Sequence, residues 1–439
     1  MMNNKIIIKR LIKPFNKILE IEGDKSLSIR WALLASQAIG KSKSINILRS
    51  EDVLSTLSCL KKLGVKIKLS KDKCEINGLG LNGFKYKKNI VLNAGNSGTL
   101  GRLIMGLLVH AKNKIKIIGD QSLSKRDFFR VTKPLEKFGA KFKTNSGKLP
   151  ITIEGTTKPK PIKYTEDKGS AQCKTAVMLA ALNTSGETII KAKKSRNHSE
   201  LLFKYLGLPI KIKKKNSFDV IRITGKKKYK ALNYKIPTDI SSSAFFLVLT
   251  ILSNNSKLKV KNVNINPSRT GIIKILRLMG AKIYLRNIKK YKGEKIADIY
   301  VESIKSLKAI KCPTYLNSSA IDEFLVIFLV AAKAKGISYF RDLSELNQKE
   351  SPRLKWGVKI LKMMGVKTIS NNDSIKIFGN PDLVVNKTIT IKNYLKDHRV
   401  FMTSVVAALT FGGNWKIYDK NSIRTSFPSF LKNIEELKR

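Results

Sequence analysis

Leu60-Lys-Lys-Leu-Gly64-Val-Lys-Ile67 is a phrase that this chain carries in five versions. It returns as Leu135-Glu-Lys-Phe-Gly139-Ala-Lys-Phe142, Phe203-Lys-Tyr-Leu-Gly207-Leu-Pro-Ile210, Leu276-Arg-Leu-Met-Gly280-Ala-Lys-Ile283 and Leu361-Lys-Met-Met-Gly365-Val-Lys-Thr368. Each version reads as the end of an amphipathic helix, a glycine that stops it, and a strand. The steps between these glycines are 75, 68, 73 and 85 residues, the mark of one supersecondary unit repeated in tandem.

A second element keeps phase with the first. Polar starts containing glycine or aspartate open into apolar helices at residues 23–40, 95–112, 169–186, 238–255, 321–336 and 396–412. That makes six helix starts against five phrases. The sixth phrase is cut short: Phe427-Pro-Ser-Phe-Leu-Lys-Asn-Ile-Glu-Glu-Leu437 supplies a helix and no strand follows. At the other end Lys5-Ile-Ile-Ile-Lys9 reads as a strand without a unit. The economical solution lets that first strand complete the last unit. Six units then divide three and three, into a domain of residues 24–237 and a discontinuous domain of residues 1–23 plus 238–439.

The apolar helices are hydrophobic nearly all round, as in Ala244-Phe-Phe-Leu-Val-Leu249 and Phe324-Leu-Val-Ile-Phe-Leu-Val330. Such helices belong inside, with the sheets as a wall around them. The expected fold class is therefore α/β, with two inside-out domains of three units, buried parallel helices and sheets outside. Parallel buried helices would gather their N-termini, where free N–H groups and helix dipoles favour anions.

Charge points the same way. The 439 residues include 86 basic and 31 acidic ones, a net charge of +55, yet 70 of the basic residues are lysines spread over every segment. Short runs at 213–215 and 226–228 make no nucleic-acid stripe, so the lysines read as a solvated surface whose field steers small anions. Cys59, Cys74, Cys173 and Cys312 form no CxxC pair, and His110, His198 and His398 are as dispersed, so no metal site is expected. No apolar run reaches the ~18 residues of a membrane span, and residues 1–15 lack a secretory core. The expectation is a cytoplasmic monomer acting on small anionic molecules.

The six helix starts hold the densest polar residues of the chain. They are Gly23-Asp-Lys25-Ser26-Leu-Ser28-Ile-Arg30, Gly95-Asn96-Ser97-Gly98-Thr99-Leu-Gly-Arg102, Gly169-Ser170-Ala171-Gln172-Cys173-Lys174, Thr238-Asp239-Ile-Ser241-Ser242-Ser243, Ile321-Asp322-Glu323 and Asp397-His398-Arg399. Lys125-Arg126 and Lys349-Glu350-Ser-Pro-Arg353 lie between them. A Ser, Asp or Asn at a helix start ordinarily serves as a cap. Four of these starts also carry Lys or Arg in the first turns, where the dipole disfavours cations, and bound anions would offset that placement.

Gly-Asp-Lys-Ser-x-Ser-x-Arg, Gly-Asn-Ser-Gly-Thr, Ser-Ala-Gln-x-Lys, Ser-Arg-Asn-His, Asp-Ile-Ser-Ser, Asp-Glu, Lys-Glu-Ser-x-Arg and Asp-His-Arg stand here in the order found in the enolpyruvyl shikimate-phosphate synthases. The chain resembles that family from about Leu19 to Phe430. The resemblance implies enolpyruvyl transfer from phosphoenolpyruvate to the 5-hydroxyl of shikimate 3-phosphate, with release of phosphate, without metal or organic cofactor. It implies that Lys25 contacts both substrates, and that Ser26 and Arg30 grip the shikimate carboxylate and hydroxyls. Ser170, Ser195 and Arg196 would hold the 3-phosphate, Gln172 would lie along the ring, and Asp322 and Lys349 would also meet shikimate 3-phosphate. Phosphoenolpyruvate would take Asn96, Gly98, Arg126, Gln172, Arg353 and Arg399, guanidinium forks matching its phosphate and carboxylate. The addition needs a carboxylate near the hydroxyl and an acid for the methylene carbon. Asp322 is the expected base, and Glu350, aided by Lys25, the expected proton donor.

Three departures stand out. Pro352 replaces the aspartate usual in Lys-Glu-Ser-x-Arg, Ala171 removes a hydroxyl that some members have, and Thr425 occupies the place of a basic residue before Phe427-Pro428. Two alternatives remain at this stage. One is the sister transferase acting on a UDP-sugar, which would need a reactive cysteine in a mobile loop. The other is a nucleic-acid-binding protein on the same repeat fold, which would explain +55 but not Asp322 and Glu350 beside arginines.

Overall fold

The computed structural model describes residues 4–71 and 73–439. The polar-to-apolar segments form six helices, Lys25–Gln37, Gly98–Leu108, Ala171–Leu182, Ile240–Leu252, Phe324–Lys333 and His398–Phe411, here called the first to sixth core helices. Their all-round hydrophobicity leads to all-round burial: every residue of the second and of the sixth is buried. Side-chain caps fix where five of them begin. Asp24, Ser97, Ser170, Asp239 and Asp397 each accept a backbone N–H from the first turn. The fifth starts uncapped behind a turn at 321–323 that carries Asp322 and Glu323.

The repeated phrases form as read. Amphipathic helices such as Glu51–Lys62 and Arg353–Met363 end at glycines 64, 139, 207, 280 and 365, all with φ between 62° and 106°. Sheet order repeats as well. Ile90–Asn93 runs parallel to Ile115–Ile118, which pairs antiparallel with Lys148–Glu154, which pairs with Lys141–Asn145. Lys163–Glu166, Glu187–Lys193, Phe218–Thr224 and Ile210–Lys214 repeat that order. Within Glu187–Lys193 burial alternates, with Thr188, Ile190 and Ala192 inward and lysines outward. One face of each sheet thus covers core helices and the other is solvated.

Two units draw their leading strand from elsewhere in the chain. The first is led by Tyr234–Lys235, parallel to Ile39–Ile45, and the fourth by Asn16–Leu19, parallel to Lys257–Asn264. In the sixth, Lys5–Ile8 pairs antiparallel with Asn414–Tyr418, so the leftover strand does complete the last unit. The strand Asn16–Leu19 was not anticipated; its four residues are too few for a periodicity to show.

Contacts divide the chain into two compact units with separate hydrophobic cores. One holds Gly23–Ile236 together with Tyr291–Glu294; the other holds the described residues up to Glu22, Pro237–Lys290 and Lys295–Arg439. The sequence reading puts residues 291–294 with 238–439, whereas here they pack with Gly23–Ile236. The strands that carry them, Ile283–Tyr291 and Glu294–Glu302, are nine residues each, against five and seven for Lys141–Asn145 and Lys148–Glu154. The longer hairpin carries its tip beyond its own sheet.

Candidate active site

In the unit of Gly23–Ile236, hydrogen bonds tie together the starts of the first three core helices. Arg30, one turn into the first, is buried. It donates from Nε to Ser199 Oγ (2.9 Å), from Nη1 to the Ser26 carbonyl (3.1 Å) and from Nη2 to Thr175 Oγ1 (3.4 Å). Lys25 Nζ lies 2.9 Å from Asp52. Gln172 is held at both ends of its amide: its oxygen accepts from Arg102 Nη1 at 2.9 Å, and its nitrogen donates to Thr99 Oγ1 at 3.0 Å. Its orientation is therefore set by two residues of the neighbouring helix start.

Gly98 opens the second core helix between two guanidinium groups. A Cβ there would stand 2.8 Å from Arg102 Nη1 and 3.0 Å from Arg126 Nη1. Arg102 also lies 5.0 Å over the Phe128 ring, and burial, reinforced by Arg126 and Arg130, lowers its pKa to about 10 despite nearby Cys173. Asn96 donates to Asp120 at 2.6 Å, and Ser170 Oγ accepts from the Cys173 N–H at 3.2 Å. Ser195 Oγ is buried with no hydrogen-bond partner among the described residues. Arg196 and Asn197 follow it, half-buried, ahead of the helix His198–Tyr205. A buried hydroxyl without a partner costs about 1–3 kcal/mol, so an acceptor from outside the chain suits it.

In the other unit the groups meet around one residue. Arg353 is 2 % exposed and donates from Nε to Asp397 Oδ2 at 2.9 Å and from Nη2 to Asp397 Oδ1 at 3.2 Å. The same guanidinium bonds Glu350 and lies 3.3 Å from Asp322 Oδ1, which is also 3.5 Å from Lys349 Nζ. Ser351 adds two bonds to Asp397, from its N–H (3.2 Å) and its hydroxyl (2.9 Å). Arg399 donates to the Asp322 carbonyl at 2.7 Å and stands 3.7 Å from Glu323. Burial works against the charge of Arg353, but Asp397, Glu350 and Asp322 outweigh it and hold the group more firmly protonated than a free arginine. Burial also pushes Asp397 upward; Arg353 more than reverses this and holds its carboxyl below the usual range. The cluster is a fixed frame in which two half-buried carboxylates, Asp322 and Glu350, are aimed by cations.

Pro352 fits this frame. It occupies the N-cap position of Arg353–Met363 with φ −70°, close to the angle its ring imposes. Thr425 shares a 3.4 Å hydrogen bond with His398 Nδ1, while Arg424 is exposed. The sequence reading quotes Thr99, Arg102, Glu323 and Asp397 at the helix starts without giving them a role, and it misses Asp52, Thr175 and Ser199 altogether. Arg102 had a signal, four residues after Gly98 on one helical face. Asp52 and Ser199 had none, since their partners lie far away in sequence.

The four cysteines are buried and free. Burial pushes the thiols of Cys59 and Cys74 up to about 12 and that of Cys312 to about 11, and it raises Cys173 as well. None is suited to act as a thiolate near neutral pH, which counts against the cysteine-dependent alternative.

Residues 9–434 match the family described as EPSP synthase (3-phosphoshikimate 1-carboxyvinyltransferase). A 3-phosphoshikimate 1-carboxyvinyltransferase of Ruthia magnifica subsp. Calyptogena magnifica is 40% identical over 98% of each chain, and that of Petrotoga mobilis is 38% identical over 96% of this chain and 97% of its own. Among solved structures, EPSP synthase from Acinetobacter baumannii superposes with a TM-score of 0.87 at 34% identity, covering 99% of this chain and 98% of its own. The chain belongs to the EPSP synthase family.

Proposed function

We infer that this chain is a 3-phosphoshikimate 1-carboxyvinyltransferase, which moves the enolpyruvyl group of phosphoenolpyruvate onto the 5-hydroxyl of shikimate 3-phosphate and releases phosphate, on the route to aromatic amino acids. The observation that carries the chemistry is the cluster around Arg353, where Asp322 and Glu350 share one buried guanidinium. In the addition, the 5-hydroxyl oxygen bonds C2 of the enol, its proton leaves to Asp322, and the methylene carbon gains a proton from Glu350, with Lys25 assisting. The resulting tetrahedral intermediate then loses a proton from the methyl carbon to the Glu350 carboxylate, which restores that acid, as the C2–O bond to phosphate breaks and the double bond re-forms. Each proton transfer contributes roughly 10²–10⁴ in rate.

The residue assignments rest on motif position and on the geometry above. In the unit of Gly23–Ile236, Lys25, Ser26, Arg30, Ser170, Gln172, Ser195 and Arg196 take shikimate 3-phosphate, and Asn96, Gly98 and Arg126 take phosphoenolpyruvate, which Lys25 and Gln172 also meet. In the other unit, Asp322 and Lys349 serve shikimate 3-phosphate, and Arg353 and Arg399 serve phosphoenolpyruvate. Arg30 has a further task, since three of its bonds go to the protein itself. The division into residues 24–237, the shikimate 3-phosphate side, and residues 1–23 plus 238–439 is part of this reading. So are action as a monomer and a cytoplasmic location; among the described residues no helix is long and apolar enough to cross a membrane. Purified protein supplied with both substrates should release phosphate, and omission of either substrate should abolish release. Phosphate release from phosphoenolpyruvate alone at the same rate would overturn the reading.

A further inference from the structure

The turn Tyr291–Glu294 belongs by its contacts to the unit of Gly23–Ile236. Lys292 and Gly293 have φ of 47° and 90°, the pair of positive angles that a two-residue hairpin turn of type I′ requires. Every residue of the turn touches the segments 197–205 or 233–235. The Tyr291 hydroxyl accepts from the Lys235 N–H at 2.8 Å, and its ring centroid is 5.5 Å from that of Tyr234. Lys292 donates to the Asn233 carbonyl and lies over the Tyr205 ring. Gly293 sits so close to Leu201 that a Cβ would stand 2.9 Å from the Leu201 carbonyl oxygen. Glu294 bonds His198 Nδ1 at 2.6 Å, with both side chains fully shielded from solvent.

A buried carboxylate is a poor device for mere adhesion. Its desolvation costs several kcal/mol, and an apolar pair of the same size packs as well or better. What the bond offers is direction: it fixes the plane of the His198 ring at the first position of His198–Tyr205. The three residues just before it are Ser195, Arg196 and Asn197, and Ser195 Oγ is the buried hydroxyl that lacks a partner. The residue just after it, Ser199, accepts from Arg30. The segment 195–199 is thus pinned on one side by Thr175 of the third core helix and by Arg30 of the first, and on the other by Glu294.

We propose that Glu294 is a positioning residue for recognition of the phosphomonoester of the acceptor substrate: through the His198 ring it holds Ser195 and Arg196 in the conformation that receives the phosphate. The proposal rests on the assignment of Ser195 and Arg196 to the 3-phosphate. It gives a residue of the hairpin between 283 and 302, far in sequence from every phosphate-binding motif, a selective effect on one substrate.

The test compares binding of shikimate 3-phosphate with that of shikimate, which lacks the phosphate, alongside steady-state kinetics and thermal unfolding. The proteins are the unaltered chain and Ser195→Ala, Glu294→Ala and Glu294→Gln. Glu294→Ala should weaken shikimate 3-phosphate about tenfold, as expected for loss of one charge-assisted bond, while shikimate and the KM of phosphoenolpyruvate change less than about twofold. Glu294→Gln, whose amide oxygen can still accept from Nδ1–H, should recover most of that loss. Equal weakening of both ligands, or none with shikimate 3-phosphate, overturns the proposal, and a lower Tm with unchanged selectivity makes Glu294 merely structural. If Glu294→Ala does not fold, Glu294→Asp, which withdraws the carboxylate by one methylene, is read by the same criterion. Ser195→Ala separates the two levels: if it leaves shikimate 3-phosphate binding intact, the phosphate assignment itself fails. If it weakens binding and the Glu294 variants do not, only the present inference fails.

Discussion

Arg102 and Arg353 are both buried at helix starts, yet their surroundings differ in kind. Arg102 meets the Gln172 amide and the carbonyls of Gly98 and Asp127; Arg353 meets the carboxylates of Asp397, Glu350 and Asp322. Burial acts on both in the same direction, against the charge. It wins at Arg102, whose pKa falls to about 10, and loses at Arg353, whose pKa rises. Carboxylates decide the sign. The lesson concerns local balance: in the unit of Gly23–Ile236 the hydrogen bonds of Arg102 go to neutral acceptors, which do not offset its charge. In the other unit three carboxylates share the charge of Arg353 and offset it.

Deleting each arginine should expose this difference most strongly. Arg353→Ala leaves Asp397 buried without its cation, so about 3–5 kcal/mol of stability and all measurable turnover should be lost. Arg102→Met, which removes a buried cation and keeps much of its volume, should cost about 1 kcal/mol or less; urea midpoints of the two variants make the comparison. Similar losses would mean that the carboxylates around Arg353 do not matter as argued. Next in size is Asp322→Asn, where turnover should drop by roughly 10² or more while substrate affinity and Tm stay nearly unchanged. Near-normal turnover would move the base elsewhere.

A smaller effect belongs to the capture side. Gly98→Ala brings a methyl group against the guanidinium ends of Arg102 and Arg126, not against backbone, so the fold should tolerate it with a small shift of those side chains. The KM of phosphoenolpyruvate should rise about tenfold and that of shikimate 3-phosphate far less, the equivalent of ~1.4 kcal/mol. Equal rises would remove the glycine from the phosphoenolpyruvate site. The smallest effect is acid sensitivity. Asp397 has a folded pKa below its unfolded value, so its contribution is complete above the ordinary value near pH ~3.9. It is lost as pH falls through the lowered folded value. Stability of Asp397→Asn, followed by urea unfolding across that range, should lack this limb; an unchanged acid limb would discount the pair.

Much of the fold was legible because its signals are local. The glycine-stopped helices at 64, 139, 207, 280 and 365, and the six apolar helices, follow from windows of about fifteen residues. Residues that meet across long separations left no such trace. Tyr234–Lys235 leads the first sheet and Asn16–Leu19 the fourth, yet neither segment is long enough to show a period. The site divides in the same way. Lys25, Gln172, Glu350 and Arg353 stand in motifs that can be read, whereas Asp52, Ser199 and Glu294 matter through partners outside their own windows, such as Lys25, Arg30 and His198, 27, 169 and 96 residues away. The resemblance implies a ligand role for Arg30, and its bonds to Ser199, Ser26 and Thr175 show that it also ties the first and third core helices together.

The pairing of Lys5–Ile8 with Asn414–Tyr418 has a consequence for the newborn chain. The strand leaves the ribosome well before its partner, which follows roughly 400 residues later, an interval of about 20–80 s at ~5–20 residues per second. For that time Ile6, Ile7 and Ile8 form an apolar segment with no sheet to join, the kind of edge that invites pairing with another chain. The charges that bracket it, Lys5 on one side and Lys9 and Arg10 on the other, stand where repulsion between neighbouring nascent chains best protects the segment until its own partner arrives.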